Sequence, residues 1–319
     1  MILFKYVSNP DFILEDGYIR ATQLSALNDP FEASYSKEDL IKLSLDFENT
    51  IKENELIDFI EKEKHKVGII SFTQTKDNLL MWAHYANEHK GVLIGFNFSN
   101  YYKNIFVDLL IESYDVLLGT ENLFDGRCIP INYRKQPIYK NDKFDRDYSN
   151  IAGEGENRIL YEIFQQKSDE WIYEKEHRIT LKLNQADKVI LHNIIEYQYD
   201  KLNWISDLKK LCKYEENKKE DTLIFYLDSI IAEEDDEYGY NFNRFFYGNY
   251  LADLAKDNPE NIYLFKIDSS CICSITNGYN VDTDNIFDYQ YPKKTGYFEI
   301  YTAHKSKDNY CLEFEEITN

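Results

Sequence analysis

With 319 residues, 43% of them hydrophobic and 16% aromatic, the chain can bury a sizeable core, which excludes global disorder. Asp and Glu number 57 against 36 Lys and Arg, and the net charge of -21 repels nucleic-acid phosphates and anionic membranes at long range. That argues against nucleic acid as a bulk partner and against a membrane partner, without excluding a local basic groove.

The N-terminus, MILFKYVSNPDF, lacks the basic region, long apolar stretch and cleavage site of a signal peptide. No apolar run reaches the length of a membrane span. The cysteines are Cys128, Cys212, Cys271, Cys273 and Cys311, odd in number, sparse and without a CxxC. A disulfide framework is therefore not expected, and the expected location is a reducing one, the cytoplasm. Cys271-x-Cys273 resembles half of a metal clip, but alternating thiols on a strand explain it more simply.

In chain order, residues 2–7 are predicted as a first strand, 11–15 as a short helix stopped at Gly17, and 18–21 as a second strand. Leu27-Asn28-Asp29-Pro30-Phe31-Glu32 is a turn by composition, since Asn and Asp bond local backbone and Pro fixes its own φ. From Ser36 to His65 there is neither Gly nor Pro. Leu40, Leu43, Phe47, Ile51, Leu56, Phe59 and Ile60 recur there at near-helical spacing, which predicts two helices or one broken near Asn54. A strand over 67–73, a helix capped by Asp77 or Asn78 and ending near Lys90-Gly91, and a strand over 92–98 follow.

Residues 128–133 are predicted as a strand, 135–150 as a surface loop and 154–168 as a helix. Tyr173 to Leu183 alternates, with Glu174, Glu176, Arg178, Thr180 and Lys182 on one face. The region from about 190 to 258 reads as helical, and its acidic run 233–237 as a solvated loop or helix end. Closing strands are predicted over 262–268, 271–276, 297–302 and 309–317. There is no internal repeat and no low-complexity linker, so one mixed domain is expected.

Two segments concentrate chemistry. In the helix after Asn78, Trp82, Tyr85 and His89 fall on one side and Leu80 and His84 on another. An amphipathic helix whose histidines bond the core explains them as simply as a site does. Zinc on His84, Glu88 and His89 is not expected, because the spacing is not HExxH and no Cys pair supports it. In the second segment, Glu174 and Glu176 on a strand stand roughly 7 Å apart at Cα, followed by Arg178. Two such carboxylates repel unless Arg178 offsets them. The pair suits a ribose hydroxyl or an oxocarbenium-like centre; a surface strand laced with ion pairs is the simpler reading of an isolated ExE. The 28–32 turn could form a pocket rim or be purely structural. There is no GxGxxG, P-loop, GxSxG or kinase motif set.

In combination and order, Phe4-Lys5-Tyr6, Leu27-Asn28-Asp29-Pro30-Phe31-Glu32, Ser71-Phe72-Thr73, Met81-Trp82-Ala83-His84-Tyr85 with His89-Lys90-Gly91, and Trp171 with Glu174-Lys175-Glu176-His177-Arg178 resemble a bacterial domain-of-unknown-function family, number 2971 in that series. The resemblance covers residues 1–183 and returns over 262–317, where Asn277-Gly278 stands at a strand end. It implies a core of 1–189, a helical insertion of 190–258 and closing strands in 259–319.

The order of aromatic strand, Ser-containing strand and late Glu-x-Glu strand is also similar to ADP-ribosyltransferase-like domains. That likeness implies an α+β fold with a mixed, mainly antiparallel split sheet, flanking helices and NAD as cofactor. It places Tyr6 near the nicotinamide, Ser71 or Thr73 in the pocket wall, and Tyr85 or Trp82 against a ring. Glu176 would hold the ribose and stabilise the cation. Lys5 is the nearest polar residue to the Arg or His that such enzymes keep on the first strand, and Ser71-Phe72-Thr73 stands in place of Ser-Thr-Ser.

The expected catalytic residues are Glu176, Glu174 and His84. The expected binding residues are Tyr6, Lys5, Ser71, Trp82, Tyr85, Asn28 and Arg178, with no metal. The expected function is an NAD-using ADP-ribosyltransferase or NAD glycohydrolase, with defence against phage as a candidate setting. The alternative is a non-enzymatic sensor or effector that binds a nucleotide or a protein. A metal-dependent hydrolase using His84 and acidic groups lacks a recognisable ligand triad.

Overall fold

The computed structural model describes residues 1–46, 53–98, 104–110, 123–137, 154–194, 202–231, 242–282 and 298–317. Strands β1 (Ile2–Val7) and β2 (Tyr18–Gln23) enclose the short helix α1 (Asp11–Leu14), and Gly17 turns the chain at φ +73. Helices α2 (Lys37–Asp46) and α3 (Glu53–Glu63) lead to β3 (Val67–Thr73), α4 (Leu79–Tyr85) and β4 (Val92–Asn97). Next come β5 (Cys128–Pro130), β6 (Asn132–Arg134), α5 (Glu154–Phe164), β7 (Gln166–Ser168), a 3-10 turn over Asp169–Glu174 and β8 (Glu176–Lys182). The remainder is β9 (Lys188–His192), α6 (Leu202–Leu211), β10 (Lys213–Asn217), β11 (Thr222–Tyr226), α7 (Phe242–Asp253), β12 (Ile262–Lys266), β13 (Ile272–Asn277), β14 (Glu299–Lys305) and β15 (Leu312–Glu316).

The chain is thus α+β. Among the described residues a 13-stranded sheet runs β10-β11-β9-β12-β2-β3-β1-β4-β13-β14-β15, with β8 on β3 and β5 on β8. Its pairs are antiparallel except β13 with β14, and β6 and β7 form a separate parallel pair.

β3 is where the sheet divides. One edge pairs with β8 along its whole length, from Val67↔Lys182 to Thr73↔Glu176. The other edge is shared: β2 pairs at Gln23↔Gly68 and Thr22↔Ile69, and β1 only at Phe4↔Thr73. Between them, Ile70, Ser71 and Phe72 have no ladder partner on that edge. From the division β1 leads to β4 and β13, while β2 leads to β12 and β9.

The two faces of β3 differ. Ile70 and Phe72 join a core cluster that runs through β1, β4, β8, β9, β11, β12 and β13. Val67 and Ile69 face the opposite way, under Leu40, Leu56, Ile60 and the α5 residues Leu160 and Phe164. Strand period two puts Ser71 and Thr73 on this helix-covered face, beyond the reach of its apolar packing.

Several boundaries differ from the sequence reading. The strand expected over Tyr173–Leu183 starts at Glu176, because Lys175 is left-handed (φ 45, ψ 47) and closes a 3-10 turn. The helix expected over 154–168 stops at Phe164 and gives way to β7, and the strand expected over 128–133 is two short ones. The helix of the Trp-His-Tyr segment stops at Tyr85, and Asn87, Glu88 and His89 follow with positive φ. The region expected to be helical over 190–258 carries α6 and α7 but also β10 and β11, which extend the large sheet. The acidic run at 233–237 and most of the 135–150 segment lie outside the described residues. No helix among the described residues is long and apolar enough to cross a membrane, and all five cysteines are free.

Candidate ligand pocket at the division of the sheet

Where β1 and β2 part, the helix-covered face of β3 and β8 opens into a cavity of about 250 Å³. Ser71 and Thr73 of β3 and Glu176 and Arg178 of β8 face it, with Lys5 and Tyr6 of β1, Thr22 of β2 and Asn28 around them. Met81 and Tyr85 of α4, together with Lys167 and Glu174, complete the wall.

The division leaves the Ser71 carbonyl without a ladder partner from β1 or β2, and the Lys5 ammonium donates to it at 3.2 Å. Burial pulls Lys5 down to about 8, against the opposing pull of Glu176.

Arg178 is fully buried and organises the rest. Nε and Nη2 donate to the two oxygens of Glu176 at 2.9 and 3.2 Å. Nη1 and Nη2 donate to those of Glu32 at 2.6 and 3.3 Å, and Nη1 also reaches the Phe164 carbonyl at 2.6 Å. A guanidinium has five donors, and all are engaged.

Glu176 is equally occupied. Besides Arg178 it accepts from Ser71 Oγ at 2.6 Å and from Lys167 Nζ at 3.1 Å, which fills its four lone-pair positions. Burial alone would push this carboxyl up. Arg178, Lys167 and the hydrogen bonds outweigh it and hold Glu176 down at about 2. Its backbone N–H donates to the Tyr133 hydroxyl at 2.7 Å, and burial raises that phenol to about 12.

Glu174 differs. Tyr85 donates to Oε1 at 2.7 Å and Lys167 to Oε2 at 2.6 Å. Among the described residues one acceptor position remains on each oxygen. Burial, then Glu174, push the Tyr85 phenol above its ordinary value, so it stays protonated as a donor. Burial opposes the charge on Lys167, but Glu176 and Glu174 outweigh it and raise this ammonium.

The left-handed Lys175 makes this possible by turning the chain so that the carboxylates on either side of it meet one ammonium. The turn is tied down by Thr73 Oγ1, which donates to the Glu174 carbonyl at 2.6 Å, and by Asn78 Nδ2, which donates to that of Tyr173 at 2.8 Å.

Of the residues marked in the sequence, Lys5, Tyr6, Asn28, Ser71, Tyr85, Glu174, Glu176 and Arg178 line this cavity. His84 and Trp82 do not. His84 is exposed on the outer side of α4. Trp82 is fully buried behind Tyr6, its ring 5.1 Å away at 85°, and donates its indole N–H to the Lys76 carbonyl at 2.9 Å. Glu32 and Lys167 belong to the network but were not among the expected site residues. Glu32 stands in the Asn-Asp-Pro-Phe-Glu turn that suggested a rim. Lys167 follows a helix end and has no local signal. Among the described residues no group of three or more His, Cys, Asp or Glu could hold a metal ion.

Residues 81–179 match the model of a family described as a protein of unknown function, DUF2971. Over that span the chain is similar to the DUF2971 family. The DUF2971 match takes in α4 from Met81 onward, Lys167 and the Glu174–Arg178 segment, whereas β1, the Asn28–Glu32 turn and β3 precede it. The cavity is therefore built across its boundary. No match was found among curated proteins or among solved structures.

Proposed function

We propose that this cavity binds a nucleotide of the NAD class, and that the chain cleaves its nicotinamide–ribose bond as an ADP-ribosyltransferase or NAD glycohydrolase. The observation that supports this most is convergence: aromatic, cationic and carboxylate groups from β1, β3, β8 and α4 meet in one cavity at the division of an antiparallel sheet. At about 250 Å³ it is smaller than the ~300–1,000 Å³ of drug-sized sites, so it suits one ring with its ribose. Tyr6, Tyr85 and Phe4 offer ring surface, and Glu174 has acceptor positions for a ribose hydroxyl.

In this reading the glycosidic C–N bond breaks and its electron pair leaves on the nicotinamide nitrogen, which becomes neutral. The oxocarbenium carbon takes a lone pair from water or from an acceptor, which loses a proton. Glu174 faces the developing positive charge. Glu176 acts as the fixed anion that positions Lys167 and Arg178.

One observation favours a second reading, a non-enzymatic binding module. Every acceptor position of Glu176, the carboxylate that the ADP-ribosyltransferase likeness puts on the ribose, is taken by the protein itself, so the enzyme reading has to rest on Glu174 alone.

Melting with millimolar NAD and assay of released nicotinamide separate the two. Binding raises apparent stability by mass action. The enzyme reading expects a raised melting temperature and nicotinamide release, with release lost and the shift kept in Glu174→Gln. A shift without release in the wild type selects the binding module. No shift and no release remove NAD from both.

A further inference from the structure

A second cavity, of about 280 Å³, lies across Lys167 from the first. It is bordered by Arg134, Lys135, Gln136, Lys167, Ser34 and Ser168. None of the described residues lining it is a carboxylate, whereas the first cavity has Glu32, Glu174 and Glu176. In a chain of net charge -21 this gathers three cationic side chains, Arg134, Lys135 and Lys167, at one cavity.

The geometry follows from the small parallel pair. Tyr133 is in register with Lys167, and Arg134 with Ser168. Strand alternation points the first two residues one way and the second two the other. Tyr133 and Lys167 meet Glu176, while Arg134 and Ser168 border the second cavity. The 28–34 segment divides likewise, with Asn28 and Glu32 on the first cavity and Phe31 and Ser34 on the second. Lys167 borders both. Two of its three N–H bonds go to Glu174 and Glu176, and the ammonium also lies 5.0 Å from the centroid of the Trp171 ring.

We propose that the second cavity takes the phosphate groups of the nucleotide whose ring and ribose occupy the first, with Arg134 and Lys135 as charge partners and Lys167 spanning both. This rests on the nucleotide reading of the first cavity. Phosphate suits these groups because guanidinium presents a planar fork to it and charge-assisted bonds are the strong ones.

The test compares the wild type with Arg134→Gln/Lys135→Gln, using NAD, nicotinamide riboside, which has no phosphate, and inorganic pyrophosphate. Affinity is read by titration calorimetry, with melting in buffer as the check on folding. The expected result is NAD binding weakened about tenfold or more in the variant, riboside binding unchanged, and pyrophosphate binding present in the wild type only. Equal NAD affinity in the two proteins overturns the phosphate site and leaves the nucleotide reading standing. Pyrophosphate binding that is lost in the variant, with neither NAD nor riboside bound by either protein, keeps the anion site and removes the nucleotide reading. Binding of none of the three removes both.

Discussion

Arg178 and Glu176 are the residues through which the pocket and the stability of the fold are coupled. Removing one partner of such a buried pair leaves an uncompensated charge, at about 3–5 kcal/mol. The same contacts give a pH signature. The folded chain holds Glu176 at about 2, below its ordinary value of 4.5. Between those values the unfolded chain binds more protons, so the network's contribution is complete above about 4.5 and is lost as pH falls toward about 2. Melting temperatures measured from pH 5 down to pH 2 should therefore fall more steeply in the wild type than in Glu176→Gln. Parallel profiles would show that this carboxylate is not held down by its partners. At this scale the sequence was informative where residue types cluster: Glu174, Glu176 and Arg178 stand within five positions and meet in space. It was silent on Lys167, whose role arises from the parallel pairing of β6 with β7. His84 was marked by the density of rings around it, but α4 turns it outward.

At the scale of elements, α4 and the 3-10 turn of Asp169–Glu174 act as one unit. Asn78 caps the helix by accepting from the Leu80 and Met81 amides at 3.0 and 3.3 Å, and its own amide holds the Tyr173 carbonyl. Losing an N-cap costs about 1 kcal/mol. Here the loss also frees the turn that presents Glu174 to Tyr85. Asn78→Ala should lower the urea-derived stability by about 1–2 kcal/mol and weaken ligand binding as well. A stability change without any effect on binding would separate the cap from the pocket. The cap itself was legible, since Asn followed by an apolar helical run is a start signal. The end of the helix was not. After Tyr85 the chain passes close to β1 at Gly91, where a Cβ would collide with the Val7 carbonyl, a constraint that only the packed structure contains. Within 190–258, β10 escaped for another reason. All five residues of β10 are exposed and show no alternation, so Lys213–Asn217 has no period for a sequence reading to detect.

For the whole molecule, the question is whether a sheet that divides at β3 folds as two bodies or one. The division suggests two, because β1 and β2 lead to separate sets of strands. The core suggests one. Leu3 of β1, Ile94 of β4, Ile179 of β8, Leu191 of β9, Phe225 of β11, Phe265 of β12 and Ile275 of β13 are all fully buried in one continuous cluster. On the opposite face, Arg178 of β8 is bonded to Glu32 of the β2–α2 connection, which ties the division together from the pocket side. Separating the halves would expose that cluster and break the buried ion pairs at once, so the cost of partial unfolding approaches that of global unfolding. Pulsed hydrogen exchange through a urea transition resolves this. Peptides covering β1, β3 and β4 should lose protection at the same midpoint as those covering β9, β11 and β12. Two midpoints would show that the halves are independent and that the cavity lies at a hinge between them. Ligand binding would then be expected to move the two midpoints together, whereas a single unit shifts as a whole.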